Sequence, residues 1–188
     1  MAGTPVPAVP IDGKMRVDWV PALADPSHPK ISELTAKTTI ALSCYLTSDG
    51  WALTTGQDSI TDERLCSAQT YDVPGRKTTD NKTVTVIDNT NSEYENLAVE
   101  TLSEGANGFF VVRRGVDFDA AYEADQKVSV YPARMGEKQL VAAEANTMTR
   151  STIPFGVVGP WYTDSAVVTA DAAQAPPAGG DSSKSATK

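Results

Sequence analysis

The side chains that most often carry out catalysis or bind metals are sparse in this chain of 188 residues. Its one histidine, His28, lies between prolines in the turn-like stretch Asp25–Pro29, where we expect it to face solvent or to cap a turn. A serine or cysteine nucleophile needs a base within hydrogen-bonding distance. A single imidazole therefore excludes most histidine-dependent catalysis, and it excludes most zinc sites as well.

Carboxylates are abundant, but they show no pattern typical of an active site. The 24 Asp and Glu residues are spread along the chain, so close pairs such as Asp117 and Asp119 are expected by chance. The segment Asp88–Glu93 resembles a calcium loop only faintly, because it lacks the required glycine. Gly156–Gly159 lacks the lysine and the spacing of a phosphate-binding loop. We therefore predict no catalytic residue, no metal site and no cofactor, and we expect a protein that is not an enzyme.

The two cysteines, Cys44 and Cys66, form neither a metal-binding nor a redox motif. In a reducing compartment the default is two buried thiols that act as small apolar side chains. If the two thiols were paired instead, they would close a loop of about two dozen residues, which is worth roughly 3 kcal/mol. The sequence leaves the pairing open.

The chain is acidic, with a formal net charge of -8. Binding of nucleic acid through its phosphates needs clustered positive charge, and so does a basic membrane-binding patch. The longest run of large apolar residues, Phe109–Val112, is far shorter than the ~18 residues that span a bilayer. The first residues show no basic and apolar leader. We therefore expect no membrane contact and a chain that stays in the cytoplasm in which it is made.

Short runs of alternating apolar and polar residues dominate the middle of the chain and predict a β-rich fold. Alternation with period two gives strands whose two faces differ chemically, and Gly, Pro, Asn and Asp separate the runs. The predicted strands are Met15–Pro21, Thr38–Leu46, Arg64–Thr70, Lys82–Asp88, Gly108–Gly115, Lys127–Arg134, Met148–Val158 and Tyr162–Ala170.

One helix is predicted at about Ser92–Gly105. Ser92 and Glu95 have the spacing of a capping box, and Gly105 is typical of a helix end. A second helical turn is predicted at Asp119–Asp125. The fold class is therefore mainly β, with about eight strands and one flanking helix in a sandwich or barrel.

Two polar segments, Ser48–Asp62 and Tyr71–Asn81, contain glycine or proline breaks and are predicted to be long loops. Long ordered loops on a compact domain are more often functional than accidental. Trp51 lies in the first segment, where it has two interpretations. It either folds back onto the core or anchors a partner surface.

Composition divides the chain into three parts. Residues 1–14 are rich in proline and predict an extended arm, which is either a strap that lies on a neighbour or a frayed end. Residues 171–188 are rich in Ala, Pro, Gly and Ser and contain no large apolar residue, so we expect a disordered tail. Both end segments are neutral, so the whole charge of -8 belongs to the β domain of residues 15–170.

Nine segments, by their order and spacing, resemble the major tail proteins of siphophages, most closely those that infect actinobacteria. The resemblance covers roughly residues 15–170. The segments that carry it are Arg16–Pro21, Ile31–Thr35, Leu42–Leu46, Asp62–Cys66, Gln69–Arg76, Ser92–Gly105, Gly108–Arg114, Val128–Pro132 and Gly159–Pro160.

The resemblance implies a structural virion protein, the subunit of a tail tube, with a β-sandwich-like tube fold and a flanking helix. Such subunits form hexameric rings that stack, and each subunit gives strands to a barrel around a lumen. A long loop and the terminal arms bridge adjacent rings. The implied location is the tail of the virion, after assembly in the cytoplasm of the bacterial host.

The partners that the resemblance implies are copies of the chain itself, the tape measure protein in the lumen, the tail terminator and the distal tail proteins at the tip. DNA passes through the lumen without specific binding. The negative charge agrees with such a conduit, because an acidic wall repels phosphates within the screening length of ~8 Å. Plain solubility explains the same charge equally simply.

A different class of protein also fits the residues. A monomeric β-sandwich that binds a ligand or decorates a capsid would use Trp51 and the long loops as its binding surface. Electron micrographs at increasing protein concentration separate the two hypotheses, because only a tail tube subunit forms rings or tubes.

Overall fold

The computed structural model describes residues 5–167. The fold is mainly β with two short helices, which confirms the predicted fold class. The strands are β1 (Met15–Val20), β2 (Ile40–Ala41), β3 (Leu46–Asp62), β4 (Tyr71–Ile87), β5 (Asn107–Arg114), β6 (Lys127–Met135), β7 (Gln139–Leu140), β8 (Arg150–Val157) and β9 (Tyr162–Ala166). The helices are α1 (Ile31–Leu34) and α2 (Leu97–Thr101).

The strands form one open antiparallel sheet in the order β2-β1-β5-β6-β8-β4-β3. β7 pairs with β8, and β9 pairs with β6. β6 therefore has β5 along one side and two strands along the other, with β9 at its beginning and β8 at its end. Runs of alternating apolar and polar residues predict β1, β5, β6, β8 and β9. These strands have that alternation because they lie in the central part of the sheet.

Both faces of the central strands are buried. On one face Trp19 of β1 and Phe110 of β5 meet edge to face, with ring centroids 4.9 Å apart. Trp51 of β3 also contacts Phe110, at 5.0 Å, although three strands separate β3 from β5 in the sheet. The sheet must therefore curl until its far end covers this face. Leu34 of α1 and Tyr122 cover the opposite face.

A bulge in β3 turns Trp51 towards this core. The register of β3 against β4 shifts between Leu46 and Trp51. Gly50 lies in the bulge, where a Cβ atom would collide with the carbonyl oxygen of Thr85, so glycine is the residue that fits. The Trp51 ring then stacks on Phe155 at 5.7 Å. The first interpretation of Trp51, that it covers the core, is confirmed.

The prediction of two long loops is wrong. Ser48–Asp62 and Tyr71–Asn81 belong to β3 and β4, which are 17 residues long each and form one hairpin. The prediction of a strand at Arg64–Thr70 is also wrong, because residues 63–70 connect the two strands. The described residues bury neither face of the outer part of the hairpin, so its sequence lacks the apolar alternation by which strands are recognised.

The predicted helix at Ser92–Gly105 is correct in place but too long. Helix α2 has five residues, and its N-cap is Asn96, whose side chain accepts a hydrogen bond from the amide of Val99 at 3.3 Å. Ser92 does not cap it. The Ser92 hydroxyl accepts the amide proton two residues later, at 3.3 Å, which is a local turn that competes with helix formation. Gly105 has a left-handed φ of 81°.

Two further predictions are corrected. Thr38–Leu46 is a strand at Ile40–Ala41 and again at Leu46, where β3 begins. Between them the chain turns, and the amide of Tyr45 donates to the carbonyl oxygen of Leu42 at 2.8 Å. Asp119–Asp125 forms turns and no helix.

The cysteines are also not where the sequence placed them. Cys44 lies in the turn before β3 and Cys66 in the connection of the hairpin, and both thiols are free and exposed. The expectation of two buried thiols is therefore wrong. The predicted tail of residues 171–188, residues 168–170 of the last predicted strand and residues 1–4 of the predicted arm lie outside the described residues.

Candidate assembly surfaces

The outer part of the β3–β4 hairpin projects from the body of the subunit. The inner part of β4 is held by β8 over Thr83–Ile87, whereas Thr54–Asp62 and Tyr71–Asp80 pair only with each other among the described residues. Nine residues of strand span about 30 Å. A two-stranded hairpin by itself is marginally stable in water, so this projection is a candidate surface for a partner.

Large apolar side chains are exposed at the end of this hairpin. Ile60 lies opposite Val73 and Asp62 lies opposite Tyr71, so these four side chains share one face, because directly opposed residues point the same way. Ile60, Val73 and Tyr71 are each more than half exposed, and Leu65 in the connection is fully exposed. We call Ile60, Leu65, Tyr71 and Val73 the apolar stripe.

Residues 5–14 form an N-terminal arm that contains no strand or helix. The base of the arm is anchored, because the amide of Phe118 donates to the carbonyl oxygen of Gly13 at 2.9 Å and Lys14 forms an ion pair with Asp117 at 2.8 Å. Val6 and Val9 farther out are 90% and 59% exposed. The arm therefore presents apolar side chains that its own subunit does not cover.

An open groove of about 290 Å³ lies between the base of the arm, β1 and the start of β3. Ile11, Met15, Trp51 and Phe118 form its apolar lining, and Cys44 lies at the groove as well. Its shape is concave and its lining is mostly apolar, as in sites that receive apolar groups.

The sheet has edges with a single neighbour. β2 and β3 lie at the two ends of the strand order, and β9 pairs only with β6 among the described residues. An edge strand presents unpaired N–H and C=O groups that can pair with another chain. Together with the hairpin and the arm, these edges suit a protein that assembles with copies of itself.

A family model described as "Phage tail tube protein" matches residues 1–170. The chain belongs to the phage tail tube protein family. A phage tail tube protein is a structural component of the virion that assembles into a tube and contacts other tail components. Membership in a structural family fits the prediction of a protein without enzymatic activity. No curated protein matches the chain.

This tail tube protein contains one buried polar cluster that resembles an active site in composition. Asp18 of β1 and Arg113 of β5 are completely buried, and Tyr122 is 5% exposed. The Asp18 carboxylate accepts hydrogen bonds from Arg16 Nε at 2.8 Å and from the Tyr122 hydroxyl at 2.7 Å. The Tyr122 ring lies between two guanidinium groups, at 4.8 Å from Arg16 and 4.7 Å from Arg113.

The geometry of this cluster is structural. Arg113 donates to the carbonyl oxygens of Asp117 and Ala120, both at 2.8 Å, and of Ala121 at 3.0 Å. It thereby fixes the connection between β5 and β6 on the sheet. Two of these carbonyl oxygens, those of Ala120 and Ala121, belong to the segment Asp119–Asp125, which packs around the guanidinium group and forms no helix.

Burial changes the acidity of the groups in this cluster. Desolvation raises the pKa of Asp18, against the hydrogen bond from Tyr122 and the nearby charge of Arg16. Desolvation and the Asp18 carboxylate raise the pKa of Tyr122 far above its ordinary value. Tyr122 is 5% exposed, so its hydroxyl group faces the Asp18 carboxylate rather than the solvent.

The faint calcium-loop pattern also has a structural explanation. Asp88 is buried and accepts hydrogen bonds from the hydroxyls of Ser151 and Thr90, and from Lys138 Nζ at 3.1 Å. The hydrogen bonds from Ser151 and Thr90 hold the pKa of Asp88 well below its usual range. Its oxygens are therefore satisfied by the chain itself. Within residues 5–167 no three His, Cys, Asp or Glu side chains lie together as metal ligands.

The other candidate residues for chemistry lie on the surface of the tail tube protein. His28 is exposed and lies 2.9 Å from the hydroxyl of Ser27. Asp117 is held by the ion pair with Lys14. No helix among the described residues has the length and apolar character needed to cross a membrane. Sequence reasoning missed the strand structure of the projecting hairpin because its side chains are polar, and it missed the groove because the residues that line it are distant in sequence.

Proposed function

We propose that the subunits form hexameric rings, that the rings stack, and that the resulting tube conducts DNA out of the virion of a siphophage that infects actinobacteria. The observation that carries the proposal is the projecting hairpin with its uncovered apolar stripe. In a monomer these apolar side chains would stay exposed to water, which is unfavourable, whereas a tube would bury them between subunits.

Ring closure removes the free sheet edges. A ring of identical subunits needs two different surfaces on each chain that fit each other. Edge strands at opposite ends of one curled sheet supply such a pair, because β2 and β3 each have one neighbouring strand in the described part of the chain. Pairing between copies would continue the sheet around the ring and leave no exposed edge.

Contacts between rings come from parts that extend beyond the body. We assign this role to the outer hairpin and to the arm of residues 1–14, with residues 15–170 as the tube domain and residues 171–188 as a tail. The exposed apolar side chains of the arm support this assignment.

The lumen would let DNA pass through without binding it. The charge of -8 lies in residues 15–170, and an acidic wall keeps phosphate groups from adhering. The tape measure protein would occupy the lumen before ejection, and the terminator and distal tail proteins would close the two ends. Assembly would take place in the host cytoplasm.

The proposal is tested by shortening the hairpin. Replacing residues 56–78 by Asn-Gly leaves Thr55 opposite Thr79 across a two-residue turn of the type that such dipeptides favour. We expect a folded monomer, with the circular dichroism of the core retained, that forms no tubes in negative-stain micrographs at concentrations where the full-length chain does. A full-length chain that stays monomeric at every concentration would contradict the proposed function.

A further inference from the structure

We propose that the groove lined by Met15, Trp51 and Phe118 receives the end of the β3–β4 hairpin of a second copy of the chain, with Leu65 as the inserted side chain. This inference rests on the proposed function, because it names the contact by which subunits of the tube hold each other. The observations that support it are the chemistry of the two surfaces, their separation and their order along the chain.

The two surfaces match in chemistry and shape. The groove is concave and its lining is mostly apolar, and Phe118 at its rim is 39% exposed. The hairpin end projects beyond the strands held by β8 and carries the apolar stripe, of which Leu65 is the most exposed member. Burying apolar surface of both parts in one contact is favourable in proportion to the area removed from water.

The hairpin cannot reach the groove of its own subunit. Trp51 in the groove and Ile60 in the stripe belong to the same strand, β3. Nine residues of strand separate them by about 30 Å, and pairing with β4 keeps this stretch extended. A hairpin end that fills the groove must therefore belong to another copy.

The parts of the chain outside the described residues offer little that could fill an apolar groove. Residues 1–4 and 168–188 contain only Met1 and Val168 as large apolar residues. The described part of the arm already contributes Ile11 to the lining. In a head-to-tail assembly each chain must carry both a projection and the surface that receives it, and the hairpin end and the groove form such a pair.

The two cysteines provide a direct test. Cys44 lies at the groove and Cys66 follows Leu65 in the hairpin connection, and both are exposed in the subunit. Docking would bring Cys66 of one copy near Cys44 of the next. Diamide oxidises two neighbouring thiols to a disulfide and takes up their two hydrogens, so it reports this proximity.

The experiment mixes two full-length variants, Cys44→Ser and Cys66→Ser, and treats the assembled material with diamide. The first variant supplies only Cys66 and the second only Cys44. We expect the mixture to give a disulfide-linked dimer on non-reducing gels, and each variant alone to give roughly tenfold less. Tubes are monitored in the same samples by electron microscopy.

The outcomes separate this inference from the proposed function. Tubes with the mixed dimer support both, whereas tubes without it overturn the docking and leave the tube intact. Samples that form no tubes at any concentration overturn the proposed function, and the docking with it.

A second pair of variants tests the contact without cysteines. Leu65→Asp places a charge on the inserted side chain, and we expect the concentration needed for assembly to rise roughly tenfold or more. Ser59→Asp is the control, because it adds the same charge on the opposite face of the same hairpin end, where Ser59 lies opposite Pro74. Equal effects of the two variants would overturn the docking.

Discussion

The central strands and the outer hairpin have the same backbone structure but different sources of stability. β1, β5 and β6 are buried on both faces, with Phe110 and Val111 of β5 completely buried on opposite sides. Within residues 5–167 the outer hairpin pairs only with itself, and it exposes its apolar stripe. One region is therefore stabilised within the subunit, whereas the other gains its apolar contacts only from a neighbour. Three measurements test this difference in the source of stability.

The largest expected effect is the loss of a central side chain. Phe110→Ala should lower the free energy of unfolding by about 3–5 kcal/mol, because it removes a ring that packs against Trp19, Trp51 and Phe155 and leaves a cavity. Ile60→Ala in the apolar stripe should change the stability of the monomer by less than about 0.5 kcal/mol. Urea denaturation of both variants in dilute, unassembled protein measures the difference. Similar losses would show that the hairpin is stabilised within the subunit.

The next largest expected effect is a change of the free energy of unfolding with pH. It is caused by Asp88, which follows β4 at the base of the hairpin. The folded state lowers the pKa of Asp88 below the unfolded value of 3.8, so the unfolded state binds a proton more readily. The resulting stability is fully present above pH ~5 and is lost as the pH falls below ~4.

Asp88→Asn tests this contribution. We expect the variant to be about 1.5–3 kcal/mol less stable at pH 7, because hydrogen bonds to a charged group are lost. The deficit should shrink as the pH is lowered towards 3. Thermal denaturation of both proteins over pH 3–7 measures it, and a deficit that does not depend on pH would assign the effect to packing.

The smallest expected effect is the removal of one hydroxyl from the buried cluster. Tyr122→Phe keeps the ring between Arg16 and Arg113 but leaves Asp18 without the hydrogen bond at 2.7 Å. We expect a loss of about 1–2 kcal/mol in the free energy of unfolding, with no change in tube formation. Unchanged stability would mean that the bond from Arg16 alone satisfies the carboxylate.

The candidate surfaces were the part of the molecule that the sequence predicted least well. Polar side chains without apolar alternation predict loops, and this is the pattern of Ser48–Asp62 and Tyr71–Asn81. Alternation of apolar and polar residues arises only where one face of a strand is buried in its own subunit. The described residues bury neither face of the outer hairpin. The groove was not predicted, because Met15, Cys44 and Phe118 are distant in sequence and only the fold brings them together.

The amino-acid sequence alone predicts the inner strands and the mainly β fold class, because apolar side chains at period two need a buried face and the chain supplies such runs at β1, β5, β6 and β8. The family is indicated by the resemblance that nine segments carry through their order and spacing. Tertiary structure alone decided the length of α2, the exposure of Cys44 and Cys66, and the path of residues 117–126. The physical reason is that these features depend on long-range partners. Asn96 caps α2 while its amide group donates to the carbonyl oxygen of Ile87 at 2.8 Å. Arg113 of β5 donates to the carbonyl oxygens of Ala120 and Ala121, within the segment that was predicted to be helical. Local propensity cannot anticipate a hydrogen-bond partner that arrives from another strand.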